Sequence, residues 1–118
     1  MNFRVEIVDR RILVYNKGLS VVGSSDVDSI EFIFDSSWDG LVKYACFKNA
    51  SDGIQHKVEL KDGNNIIKIP PELFTIEGEL YIGALGTDNV SIVKPTVWAY
   101  VCYIEEGVDC VREDTAEP

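Results

Sequence analysis

Residues 3–15 read Phe3-Arg4-Val5-Glu6-Ile7-Val8-Asp9-Arg10-Arg11-Ile12-Leu13-Val14-Tyr15. Apolar Phe3, Val5 and Ile7 alternate with charged Arg4 and Glu6, a period of two that puts the three apolar side chains on one face of a pleated strand. The strict alternation is a period of two, not the roughly 3.6 of a helix. Charged Asp9-Arg10 marks a turn, and Ile12-Leu13-Val14-Tyr15 returns as a second strand, so the segment reads as a hairpin.

The same period continues along the chain. Ile30, Phe32 and Phe34 alternate around Glu31, and Val58 and Leu60 are set against Lys57 and Glu59. Further runs span Leu41 to Lys48, His56 to Leu60, Ile66 to Ile69, Leu80 to Leu85, Val90 to Val93 and Thr96 to Ile104. They are rich in β-branched and aromatic residues, which suit a half-buried pleated surface. Clusters that tolerate positive φ separate them: Asn16-Lys17-Gly18, Asp39-Gly40, Asp52-Gly53, Asp62-Gly63-Asn64-Asn65 and Gly86-Thr87-Asp88-Asn89. Only Pro70-Pro71-Glu72-Leu73-Phe74 predicts a helical turn, with proline at its first positions. The expected fold is all-β: an antiparallel β-sandwich, immunoglobulin-like or jelly-roll-like, of eight or nine short strands.

A chain of 118 residues is one domain's worth. With 46% hydrophobic and 26% charged residues it has the balance of a folded globular chain, not a disordered or collagen-like one. The formal charge of −9 opposes binding to phosphate backbones, so nucleic acid is not an expected partner. No apolar run approaches the roughly 20 residues of a membrane-spanning helix, and no signal peptide is read at the start. Acidic residues crowd the end: Glu105, Glu106, Asp109, Glu113, Asp114 and Glu117 face the single base Arg112. The expected division is a β-sandwich domain over 1–104 and an acidic tail or linker over 105–118, leading either to solvent or to a further domain.

Residues able to carry chemistry are sparse. Cys46, Cys102 and Cys110 have no C-x-x-C spacing, so they make neither a zinc knuckle nor a redox motif. Cys46 and Cys102 lie within apolar strand patterns and read as small buried hydrophobes, with a mutual disulfide as the alternative; Cys110 lies in the acidic tail, where neighbouring charge disfavours a thiolate. His56 is the only histidine. The carboxylate pairs Asp35/Asp39 and Glu77/Glu79 are what twenty acids in a short chain produce by chance. No nucleophile elbow, P-loop or dinucleotide fingerprint is present. No catalytic residue, metal site or cofactor is expected.

Aromatic residues are the remaining candidates. Trp38, Trp98, Tyr44, Tyr81, Tyr100 and Tyr103 either fill a sandwich core or line a face on which sugars stack. Strand alternation puts Trp98 and Tyr100 on one side and Tyr103 on the other. A carbohydrate-binding module would use Trp38, Trp98 and Tyr100.

Four segments, taken in order, carry a resemblance: Glu31–Leu41 (EFIFDSSWDGL), Ala45–Asn49 (ACFKN), Ile69–Phe74 (IPPELF) and Gly78–Gly86 (GELYIGALG). Lys94-Pro95-Thr96-Val97-Trp98 and Ile104-Glu105-Glu106-Gly107 close the set. In this order and spacing they resemble the N-terminal β-sandwich domain of baseplate upper and fibre-attachment proteins of siphophages that infect Gram-positive bacteria, over roughly residues 28–107. The resemblance implies a non-enzymatic role: docking a receptor-binding or fibre region onto the tail tip of a virion, among other baseplate proteins and as a homo-oligomer, after synthesis in the bacterial cytoplasm. No fibre, coiled coil or receptor-binding head is read in this chain. The first hairpin is apolar on both faces, so Phe3, Val5, Val8, Leu13 and Tyr15 form either an assembly surface or part of the core. An interaction domain with no viral connection is the third alternative.

Overall fold

The computed structural model describes residues 2–15, 19–22, 29–61, 64–88 and 90–105. It holds ten strands among them: β1 (Asn2–Val8), β2 (Arg11–Val14), β3 (Leu19–Val22), β4 (Ser29–Phe34), β5 (Val42–Asn49), β6 (Gln55–Leu60), β7 (Ile66–Ile67), β8 (Gly78–Thr87), β9 (Ile92–Pro95) and β10 (Ala99–Glu105). One sheet has the order β2-β1-β4-β7. The other runs β3-β10-β8-β5-β6, with β9 beside the second half of β8. The chain is all-β and sandwich-like, as its period of two implies.

Two features depart from the expectation. The strand count exceeds eight or nine, because Leu19-Ser20-Val21-Val22 carries too short a pattern to stand out. The pairing is also not purely antiparallel: β1 runs parallel to β4, and β3 parallel to β10. Strands β2 and β3 follow one another in sequence, yet β2 belongs to the four-stranded sheet and β3 to the six-stranded one. The extent of the acidic tail, including Cys110, lies outside the described residues, except that Glu105 is the last residue of β10.

One core joins the sheets. Phe3, Val5 and Ile7 of β1 and Ile30 and Phe32 of β4 face Ala45 and Phe47 of β5, Leu80, Ile82 and Ala84 of β8, and Val101, Cys102 and Ile104 of β10. The rings of Phe32 and Phe47 meet edge to face across the interior, centroids 6.5 Å apart. Full burial of such side chains contributes roughly 1.5–3 kcal/mol each. The alternation of β1 therefore places Phe3 and Val5 inside, so these two do not belong to an assembly surface. Val8, Leu13 and Tyr15 are exposed.

Among the described residues, two short 3₁₀ turns flank the strands. Pro71–Phe74 is the expected turn, with Leu73 and Phe74 buried. Below it, Asn49 is buried and satisfied: its Nδ2 donates to the carbonyls of Leu73 (3.2 Å) and Ile76 (3.0 Å), and its Oδ1 accepts from the Ser51 amide. Ser36–Trp38 forms the second turn, capped by Asp35, whose carboxylate accepts from the Ser37 amide.

Candidate functional site

Trp38 is buried within that second turn. Its ring lies 5.0 Å from that of Phe34, and its Nε1 donates to the Asp9 carbonyl at 2.8 Å. Lys94, itself nearly buried, crosses from β9, pairs with the Asp9 carboxylate at 2.9 Å, and packs over the Trp38 ring. Its ammonium also donates to the Ser37 hydroxyl and carbonyl, and the hydroxyl donates on to the Asp35 carboxylate, so the contact fastens the turn. A sugar cannot reach Trp38, which is removed from the expected carbohydrate set: the strand exit tucks it under β9 instead of presenting it.

The outer face of the six-stranded sheet is different. Register sets Lys48 beside Tyr81 and Tyr81 beside Tyr100, then Cys46 beside Gly83, then Tyr44 beside Leu85 and Leu85 beside Pro95. Opposed residues share a face, so these side chains form rows across the strands. Trp98, half-exposed, lies against Gly83: a Cβ there would meet its ring at 3.4 Å. Glycine thus lets the indole rest on the sheet backbone. The Lys48 ammonium is 4.6 Å from the Trp98 ring centroid and 5.9 Å from that of Tyr81. Tyr81 and Tyr100 meet edge to face at 5.9 Å. Lys57, on the neighbouring β6, lies 4.7 Å from the Tyr44 ring.

These rows bound a shallow trough. One concavity of about 490 Å³ is floored by Cys46, Gly83 and Leu85 and walled by Trp98, Pro95 and Ile92. A second of about 340 Å³ adjoins it, sharing Lys57, Leu85 and Ile92 and reaching Tyr44. The trough brings Trp98 and Tyr44 together; Tyr81 and Tyr100 lie on the same face outside its lining, and Tyr100 lines a separate concavity with Ile12, Leu13, Val14 and Tyr15.

Tyr103 also faces outward, against the expectation from alternation. The register between β8 and β10 shifts between Tyr100 and Cys102, so Tyr100 opposes Tyr81 and Tyr103 opposes Glu79. A bulge puts two consecutive residues on one side and reverses the parity beyond it. Val101 and Cys102 are accordingly both buried. Lys48 and Lys57, which bring charge to the trough, were not singled out in sequence; their only signal is the alternation that places them outward beside Tyr44 and Tyr81.

The remaining candidates occupy structural positions. Glu77 and Glu79 accept from the hydroxyls of Tyr103 and Tyr81 at 2.7 and 2.8 Å, which holds both phenols above their ordinary range. Asp35 caps a turn and Asp39 ends it. Cys46 floors the trough whereas Cys102 points into the core. Both thiols are free, and burial pushes Cys102 up to about 11. His56 lies on β6 opposite Phe47. Among the described residues no group of three His, Cys, Asp or Glu side chains is placed to hold a metal ion, and no helix is long and apolar enough to cross a membrane.

The fold and this face define a two-sheet β-sandwich with an aromatic, cation-bearing trough on one outer surface. No protein-family model matches the chain, and no curated protein or solved structure does either.

Proposed function

We propose that this chain is a non-enzymatic structural module of a phage or prophage tail tip, docking a receptor-binding or fibre region onto the tail. What supports the reading is where the segments of the resemblance fall: their side chains are spent on the scaffold. Phe32 and Trp38, Ala45 and Phe47, Leu73 and Phe74, Leu80, Ile82 and Ala84 are all buried, and Lys94 ties β9 to the first turn. Side chains spent on packing are what a structural carrier needs. Its partners would be other tail-tip proteins and further copies of itself, since tail assemblies repeat one interface around a symmetry axis. Val8, Leu13 and Tyr15 remain as the exposed apolar positions of the first hairpin. Mass spectrometry of homogeneous virions from the source phage tests this. The chain is expected among the tail proteins, and its absence from intact particles sinks the reading.

A second reading rests on one observation, the half-exposed Trp98 lying on Gly83 at the trough. It is that of a carbohydrate-binding module using Trp98 and Tyr100. Sugar rings stack their C–H faces on such indoles because one side of the ring is apolar. Titration with cell-wall sugars followed by tryptophan fluorescence tests it. Trp38 is sealed in the interior, so any shift reports Trp98.

A further inference from the structure

The trough carries charge as well as aromatic surface, and the sign is opposite to that of the chain. On a protein of formal charge −9, the charged side chains set against its rings are Lys57, which lines both concavities, and Lys48, over Trp98 at one end. The acids around it have partners of their own, and Glu59 stands opposite Tyr44. Glu79 accepts from Tyr81, Glu59 sits 3.3 Å from Lys61, and Asp88 accepts from the amides of Val90 and Ser91. We infer that the trough binds an acidic glycan, a saccharide with carboxylate-bearing rings, one ring stacked on Trp98 and its carboxylates on Lys48 and Lys57. The inference rests on the carbohydrate reading above and narrows its ligand class.

The geometry suits that ligand better than a neutral one. Lys48 and Lys57 flank the trough from adjacent strands, and each is held over a ring, with its ammonium kept near the surface a stacked sugar would cover. A neutral sugar would cover those cations without pairing them, which costs desolvation. A carboxylate replaces the lost water with a charge-assisted hydrogen bond. The adjoining concavities leave length for more than one ring, and Gly83 keeps the floor between Trp98 and Cys46 free of side chain.

The test is titration of the whole chain with short oligogalacturonates, and with neutral cello-oligosaccharides as the matched control. Binding is read by Trp98 fluorescence and by calorimetry at low and high salt. The acidic oligomer is expected to bind, to weaken as salt rises, and to bind at least about tenfold more tightly than the neutral one, as a hydrogen bond to a charged group implies. Trp98→Ala should abolish it, and Lys48→Gln with Lys57→Gln should weaken it about tenfold and so erase its margin over the neutral oligomer. Circular dichroism confirms that each variant is folded; the lysine pair, being on the surface, serves should the tryptophan variant unfold. Equal affinity for both oligomers overturns the acidic preference but leaves the carbohydrate reading standing. No binding of either overturns both. Binding that survives in the lysine pair at full strength removes these cations from the site.

Discussion

The ammonium of Lys94, on β9 of the six-stranded sheet, lies 2.9 Å from the carboxylate of Asp9, in the β1–β2 turn of the four-stranded sheet. This ion pair joins the two layers at one end of the sandwich. Its partners are unequal: the Lys94 side chain is 9% exposed and that of Asp9 67%. Asp9 also has a φ of 54°, a left-handed conformation that aspartate adopts more readily than most residues. Its amide donates to Asp35 at 2.8 Å and its carbonyl accepts from Trp38.

That asymmetry predicts unequal responses. Asp9→Asn removes the counter-charge and leaves a buried ammonium with a hydroxyl and an aromatic ring. Lys94→Met removes the buried charge itself and leaves a solvated aspartate. Breaking a pair so that the buried ion is stranded costs more than replacing that ion by an apolar side chain. The urea midpoint at neutral pH is expected to fall further for Asp9→Asn than for Lys94→Met. The reverse order would show that the pair is held for another reason.

The same cluster sets the acid limb of stability. The hydrogen bond from Lys94 holds Asp9 below its ordinary range, and the Ser37 hydroxyl followed by the Asp9 amide does the same for Asp35. A carboxyl depressed in the folded state takes up protons more readily when unfolded. Its stabilisation is therefore complete above the unfolded value of about 3.9 and is lost as pH falls through the folded one. Urea midpoints should decline below about pH 4, and Asp35→Asn should flatten that decline. Asp88, lowered by the amides of Ser91 and Val90, gives a control in which Asp88→Asn flattens it separately. An unchanged slope in Asp35→Asn would remove Asp35 from the account.

How much of this was legible in the sequence differs by scale. The period of two reports which face a residue takes, so Phe32 announces the core and nine of the runs announce strands, but it does not say whether the face carrying Phe3 and Val5 packs within the chain or against another. It does not report partners, so the parallel pairings of β1 with β4 and β3 with β10 were out of reach. Nor does it survive a bulge, which is why Tyr103 was placed on the wrong face beyond Val101. Sequence allows Trp38 either as core or as a sugar platform, and burial settles it as core. It stands past the end of β4, where alternation stops and a 3₁₀ turn decides its direction. Trp98 and Tyr100 precede the bulge, and there the alternation held.

Two glycines on one strand separate packing from binding. A Cβ at Gly86 would lie 2.8 Å from Leu41 Cδ1 and 3.0 Å from Trp38 Cζ3, inside the sandwich. A Cβ at Gly83 would come nearest to Thr96 Oγ1 and the Trp98 ring, each at 3.4 Å, on the outer face. Gly86→Ala should therefore destabilise by about 1–3 kcal/mol, the usual cost of overfilling a core. Gly83→Ala should cost less, since its Cβ meets its neighbours at 3.4 Å, and should alter Trp98 fluorescence. Thermal unfolding followed at both tryptophans distinguishes them, and equal costs at the two sites would contradict the assignment of faces.

Cysteine reactivity checks those faces chemically. Burial pushes the Cys102 thiol to about 11 and raises that of Cys46, with Lys57 partly opposing the latter. The thiolate is the reacting species, so both should alkylate more slowly than an ordinary thiol at pH 8. They should differ in mechanism. Cys46 opens onto the trough, so its alkylation should speed up with pH in the native state and slow when the trough is filled. Cys102 is fully enclosed, and its labelling should follow global unfolding and accelerate with urea. In a Cys110→Ser variant treated with iodoacetamide, peptide mass spectrometry resolves the two rates. Oxidation of the folded protein should yield no Cys46–Cys102 disulfide, because the two side chains leave opposite faces of one sheet. Native-state labelling of Cys102 as fast as Cys46, or a disulfide between them, would show that β5 and β10 do not present these residues to opposite sides.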